Sequence, residues 1–172
     1  MSLLSRLLRP RADDHAEVRR LWHRIVELAR EKAWYADHGL SDSVPGRFDA
    51  ITLVLALVML RMEREPELAA RSALLTELFV TDMDGQLRES GVGDLVVGKH
   101  VGKLMGVLGG RLGAYREALA RPDDGALVQA LERNLSLNEG SSLTALAASV
   151  RALAARLAAT PAEVLLAGGI AS

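Results

Sequence analysis

An all-α, single-domain bundle of about six to seven helices is the fold this sequence predicts, and three observations lead to it. Apolar residues make up 49% of the 172 positions, yet aromatic residues make up only 3%. Leucine, alanine and valine therefore carry the core, whereas β-rich folds lean on β-branched and aromatic side chains. Apolar positions also recur at spacings of three and four along most of the chain, and nothing alternates as a half-buried strand does. Clusters of glycine, proline and aspartate then cut this pattern into helix-length pieces. The length fits one domain and buries about two-thirds of the unfolded surface, enough for a core without cross-links.

Taken in order, Asp13 or Asp14 is placed to cap a first helix. Val18, Leu21, Trp22, Ile25, Leu28 and Ala29 share one of its faces, with Arg19, Arg20, Arg24, Glu27, Glu31 and Lys32 mostly off it. This helix is expected to reach Asp37-His38-Gly39, where Gly39 can take a left-handed turn. Residues 39 to 46 read as a loop. Arg47 to Glu63 reads as a second helix, apolar nearly all round and hence central. Its apolar run from Ile51 to Leu60, broken only by Thr52, is short of the roughly 20 residues that span a bilayer.

Pro66 suits the first turn of a third helix, with Leu68, Leu75, Phe79, Met83 and Leu87 along it. A second break covers residues 90 to 98. The fourth helix that follows puts Val97, Val101, Leu104, Met105, Leu108, Leu112, Tyr115 and Leu119 on one side. It also carries Gly98, Gly102, Gly106, Gly109, Gly110 and Gly113. Each interior glycine costs a helix about 0.5–1 kcal/mol relative to alanine, so their number signals close helix packing, a bend or a marginal helix. Arg121 to Gly125 reads as a stop and a capped restart, and Leu127, Val128, Leu131 and Leu135 make a short fifth helix. Beyond a loop at 138–142, Leu143, Leu146, Val150, Leu153 and Leu157 form a heptad seam. Two heptads alone make a weak coiled coil, so the seam is expected to pack on the protein's own core. Thr160-Pro161 opens one last turn or two.

Composition and spacing exclude more chemistry than they admit. With no cysteine, there can be no disulfide, thiolate metal site or cysteine nucleophile. A net charge of −1 gives no bulk attraction for nucleic acid. The small basic strip of Lys99, His100 and Lys103 lacks interleaved aromatics and reads as a solvated face. Gly93 to His100 has the spacing of a phosphate-binding loop. His100, however, stands where a Ser or Thr must hold magnesium, and a helix precedes instead of a strand. Asp82-Met83-Asp84-Gly85 opens like a calcium loop, but its sixth and twelfth positions, Leu87 and Gly93, are wrong for one. The four histidines have no paired metal-ligand spacing, and no Gly-x-Ser-x-Gly element occurs. No catalytic residue, metal ligand or cofactor is assigned, and the sequence reads as non-enzymatic. Met1 to Arg11 mixes apolar and basic residues without a signal-peptide core. It is expected to be a flexible terminus with a weak hold, if any, on a membrane surface.

Three blocks of residues stand out against this background: Trp34-Tyr35 through Gly46-Arg47-Phe48-Asp49, then Leu78 to Asp84, then Leu87 to Lys99. With the later Gly110-Arg111 and Ala114-Tyr115, their order and spacing resemble the ubiquinol–cytochrome c chaperone family over residues 12 to 121. Members of that family tend to be bulky and aromatic just before the Gly-Arg pair, where this chain has Leu108-Gly109. The resemblance implies an all-helical, non-enzymatic assembly factor of respiratory complex III (ubiquinol–cytochrome c reductase). Mitochondrial members of the family help newly made cytochrome b into that complex, working with a partner protein near the ribosome and inner membrane. The short chain without a transit extension looks like a bacterial member, implying the bacterial cytoplasm with peripheral contact at the inner membrane.

The domain organisation that follows is a basic-apolar terminus over 1–11, the family-like helical domain over 12–121, and C-terminal helices over 122–172 packed on the same domain. A surface that binds a client shows exposed polar groups that folding alone does not explain. The partner-binding candidates, in or beside the two glycine-rich breaks, are Arg47, Asp82, Asp84, Arg88, Asp94 and Lys99. About half of these are expected only to cap helices or pair internally, Asp94 above all. Phe48, Phe79, Met83 and Tyr115 are the candidates for an apolar groove, with core packing as their alternative role. Two functions are carried forward. One is a complex III assembly chaperone whose client is cytochrome b or a similar membrane protein, with no role for nucleic acid. The other is a helical module for a lipid- or quinone-like ligand in an apolar pocket between helices.

Overall fold

A computed structural model describes residues 11–89 and 97–171. Among them lie eight helical segments: α1 Arg11–Ala29, α2 Lys32–Ala36, α3 Val44–Met62, α4 Pro66–Glu89, α5 Val97–Leu119, α6 Gly125–Asn134, α7 Leu143–Ala159 and α8 Ala162–Leu166. Among the described residues there is no strand, and one isolated antiparallel bridge joins Leu40 to Leu137. The all-helical, single-domain expectation holds. The terminus before Arg11 and the break from 90 to 96, Asp94 included, lie outside the described residues.

Helix α3 is the hub. It has no polar face to give to water, and it packs against α1, α4, α5 and α7. Every residue from Ala50 to Val58 is buried. Its start is set by Ser43, whose hydroxyl caps the helix by accepting from the Gly46 N–H at 3.2 Å, with Pro45 in the first turn. A Cβ at Gly46 would run into the Ser41 carbonyl, so only glycine fits there. The cap moves the start of this helix three residues ahead of the Arg47 expected from the sequence.

The first helix stops earlier than its periodicity suggests, at Ala29 rather than near Gly39. The orphan carbonyls at its end find side-chain donors just downstream. The Trp34 indole N–H donates to the Leu28 carbonyl at 2.9 Å, and the Tyr35 hydroxyl donates to the Ala29 carbonyl at 2.9 Å. These bonds satisfy groups that a continuing helix would otherwise have used. The chain therefore turns at Arg30-Glu31 and restarts as α2, and Gly39 takes its left-handed turn at φ +75°.

The seam on α7 is intramolecular. Leu146, Val150, Leu153 and Leu157 are buried in the chain's own core, against α3 and α6. Arg61 on α3 reaches the C-terminal end of α7 and donates to the carbonyls of Leu157 and Thr160 at 3.0 and 2.9 Å, where a cation also suits the helix dipole. The short α8 closes on α1, and Arg24 holds the Ile170 carbonyl through two donors.

One position on α5 departs from expectation. Leu104, Leu108, Arg111, Tyr115 and Ala118 form the buried stripe. Met105, one step round the helix from Leu104, turns outward and is 43% exposed.

Candidate functional site

The α1–α2 turn, the start of α3, the later part of α4 and the first half of α5 enclose an open groove of about 1220 Å³. Its floor is apolar. Ile51 comes from α3, Met83 from α4, and Leu104 and Val107 from α5, with Phe48 beside them. Its rim is basic. Arg30 and Lys32 come from the α1–α2 turn, Arg47 from the start of α3, and His100 and Lys103 from α5. Among the described residues Asp42 is the one carboxylate that lines the groove, and it is already engaged: Arg47 Nε donates to its Oδ1 at 2.7 Å. That hydrogen bond holds the Asp42 carboxyl below its ordinary range and, with the carboxylate's charge, raises Arg47. Tyr35 also lines the groove, and burial raises its phenol.

The wall is braced from behind by a buried polar network. Asp49 Oδ1 accepts from Arg111 Nη2 at 2.5 Å, while Oδ2 accepts from the backbone N–H and the hydroxyl of Ser136 at 2.8 and 2.7 Å. Arg111 also donates to the Thr52 hydroxyl, and its guanidinium lies 5.6 Å from the centre of the Phe48 ring. One carboxylate thus ties α3 to α5 and to the end of α6, and its cationic partner steadies the aromatic ring at the groove's edge. The Asp of the Gly-Arg-Phe-Asp block and the Arg of the later Gly-Arg block meet here. Sequence reasoning placed both in the motif blocks but not among the site candidates. The signal was a lone charge within an otherwise apolar stripe, Asp49 in α3 and Arg111 among the inward positions of α5.

The candidates from the sequence are dispersed by the fold. Arg47, Phe48 and Met83 line the groove. Phe79 and Tyr115 do not, because both are fully buried beneath it. The Phe79 ring packs against Trp22 and Phe48, at centroid distances of 6.1 and 6.3 Å. Burial pushes the Tyr115 phenol above its usual pKa. Asp82 accepts from the Trp22 indole N–H at 2.7 Å and so ties α4 to α1. Asp84 is half-buried on α4, and Lys99 is exposed on α5 without lining the groove. Arg88 belongs to α4, but its side chain, like all of Asp94, lies outside the description. The basic strip divides: His100 and Lys103 turn to the groove while Lys99 does not. Ile51, Leu104 and Val107 supply the floor that the motif blocks alone did not mark.

Among the described residues, no group of three or more His, Asp and Glu side chains is placed to hold a metal ion. No described helix is long and apolar enough to cross a membrane.

The family model described as ubiquinol-cytochrome C chaperone matches residues 36–172 of the chain. That span includes α6 to α8, which lie past the last of the motif blocks. The crystal structure of the Cbp3 homolog from Brucella abortus is similar at a TM-score of 0.82 and 35% sequence identity, covering 98% of this chain and 95% of that one. No curated protein matches.

Proposed function

Because the chain belongs to the ubiquinol–cytochrome c chaperone family, we propose that it is an assembly chaperone of respiratory complex III and that it holds newly made cytochrome b in the groove. The observation that carries this reading is the pairing of an apolar floor with a basic rim, to which the family's own blocks contribute in part. Arg47 and Phe48 come from the first block and Met83 from the second, while Asp49 and Arg111 brace them. Such a surface suits a client with apolar segments that water would otherwise drive to aggregate. The role is one of binding, with no bond made or broken.

A membrane client implies work close to the inner membrane, and peripheral contact there is part of the proposal. Deletion of the gene in a respiring bacterial host, followed by measurement of complex III and of cytochrome b in membranes, tests it. Low complex III with short-lived cytochrome b, and recovery of cytochrome b with the affinity-purified protein, are the expected results. Normal complex III in the deletion strain overturns the reading.

A second reading, a lipid- or quinone-like ligand, draws support from the same apolar floor. The groove exceeds the ~300–1,000 Å³ of ordinary small-ligand pockets, which favours the larger client.

A further inference from the structure

We infer that the groove is shaped for one α-helix, apolar along the face it buries and carrying carboxylates on both flanks of that face. The inference rests on the client-binding reading above and names what the site recognises.

The floor lies below its edges. Ile51, Met83 and Leu104 are 7%, 5% and 8% exposed, while Val44 on the rim is 83% exposed. A flat bilayer surface touches what protrudes, so this apolar floor is out of its reach. A convex cylinder reaches it. The size agrees: a helix about 10 Å wide displaces roughly 400 Å³ per turn, so a groove of 1220 Å³ takes about three turns.

Other peptide modes fit poorly. The α1–α2 turn and helices α2 to α5 make the walls, so among the described residues no open sheet edge is offered for an added strand. Tyr35 and Phe48 alone do not make the aromatic ladder that a polyproline segment uses. A helix laid in a groove is the mode that remains.

Charge decides the flanks. Arg30 and Lys32 approach from the α1–α2 turn, and His100 and Lys103 from α5. The lining carboxylate Asp42 is already bonded to Arg47. Asp or Glu beside the apolar stripe of the occupant would meet the charges of Arg30, Lys32 and Lys103, which steers its approach and fixes its register. A helix flanked by lysines would meet repulsion.

The test uses the purified full-length protein and two fluorescein-labelled helical peptides of about 20 residues, past the ~12–15 below which isolated helices are marginal. They share a leucine-rich face and differ only in carrying Glu or Lys at the flanks. The Glu peptide is expected to bind at least about tenfold tighter, with affinity falling as salt rises. The double substitution Lys32→Glu with Lys103→Glu should reverse the preference. Both lysines are exposed, so the fold should persist, as circular dichroism would check. Should the reversal impair folding, Lys103→Gln is read instead, with the preference for the Glu peptide expected to shrink rather than reverse. Equal affinity for the two peptides, or a preference that survives the substitutions, overturns the inference. So does uptake of the protein by phosphatidylglycerol vesicles that Lys32→Glu and Lys103→Glu abolish while neither peptide binds. Peptide selectivity decides this inference, and complex III levels in the deletion strain decide the client reading, so the two can fail separately.

Discussion

Asp49 is a carboxylate set into an apolar helix, and both of its oxygens are occupied, one by Arg111 and the other by Ser136. Removing one member of a buried ion pair leaves the other desolvated and alone, which costs about 3–5 kcal/mol. Asp49→Ala is therefore expected to lower stability by that order, measured by urea unfolding. Asp49→Asn combined with Arg111→Met should cost less than the single change to alanine, because no buried charge is left unmatched. At the groove's edge the charge effect is smaller and depends on pH. Arg47 depresses the Asp42 pKa, so the contribution of this pair is present above the ordinary aspartate value near 4 and is lost as pH falls through the depressed one. An NMR titration should find the Asp42 midpoint higher in Arg47→Gln than in the unaltered protein. Residues of this kind are where sequence reasoning reached least far. A charge in an apolar stripe can be noticed, but its partner lies 62 positions away in Arg111 and no local pattern names it.

At the level of the elements, the glycines of α3 and α5 have opposite meanings. At Gly46 an added methyl would collide with the backbone of Ser41, and Gly46→Ala should destabilise by about 1–3 kcal/mol, as overpacking does. Among the described residues, nothing lies within 4 Å of a Cβ placed at Gly102, Gly106, Gly109, Gly110 or Gly113. Of the close packing, bend or marginal helix that their number suggested, close packing is not seen on that face among the described residues. Gly109→Ala should therefore stabilise by about 0.5–1 kcal/mol, through helix propensity alone, and differential scanning calorimetry of the two variants separates the cases. The elements themselves were largely legible. Spacings of three and four located the long helices, and proline at 66 and glycine at 39 marked real boundaries. The end of α1 was hidden, because it depends on Trp34 and Tyr35 folding back on carbonyls five or more residues behind them. Periodicity is blind to such side-chain capping.

Across the whole molecule, the all-helical architecture could be read from composition, and the groove could not. Its lining comes from parts of the chain as far apart as Arg30 and Val107, so only tertiary packing assembles it. The motif blocks mixed residues that line the groove with the core beneath it, Phe48 with Phe79. The two sides of the groove also differ mechanically. One is the start of α3, whose continuation is buried on all sides and cannot shift without disturbing four neighbouring helices. The other is α5, whose glycines at exposed and half-buried positions each lower its helix propensity. With one wall locked into the core and the other of low helix propensity, any adjustment to occupants of differing girth would fall on α5 while the core around α3 keeps its shape.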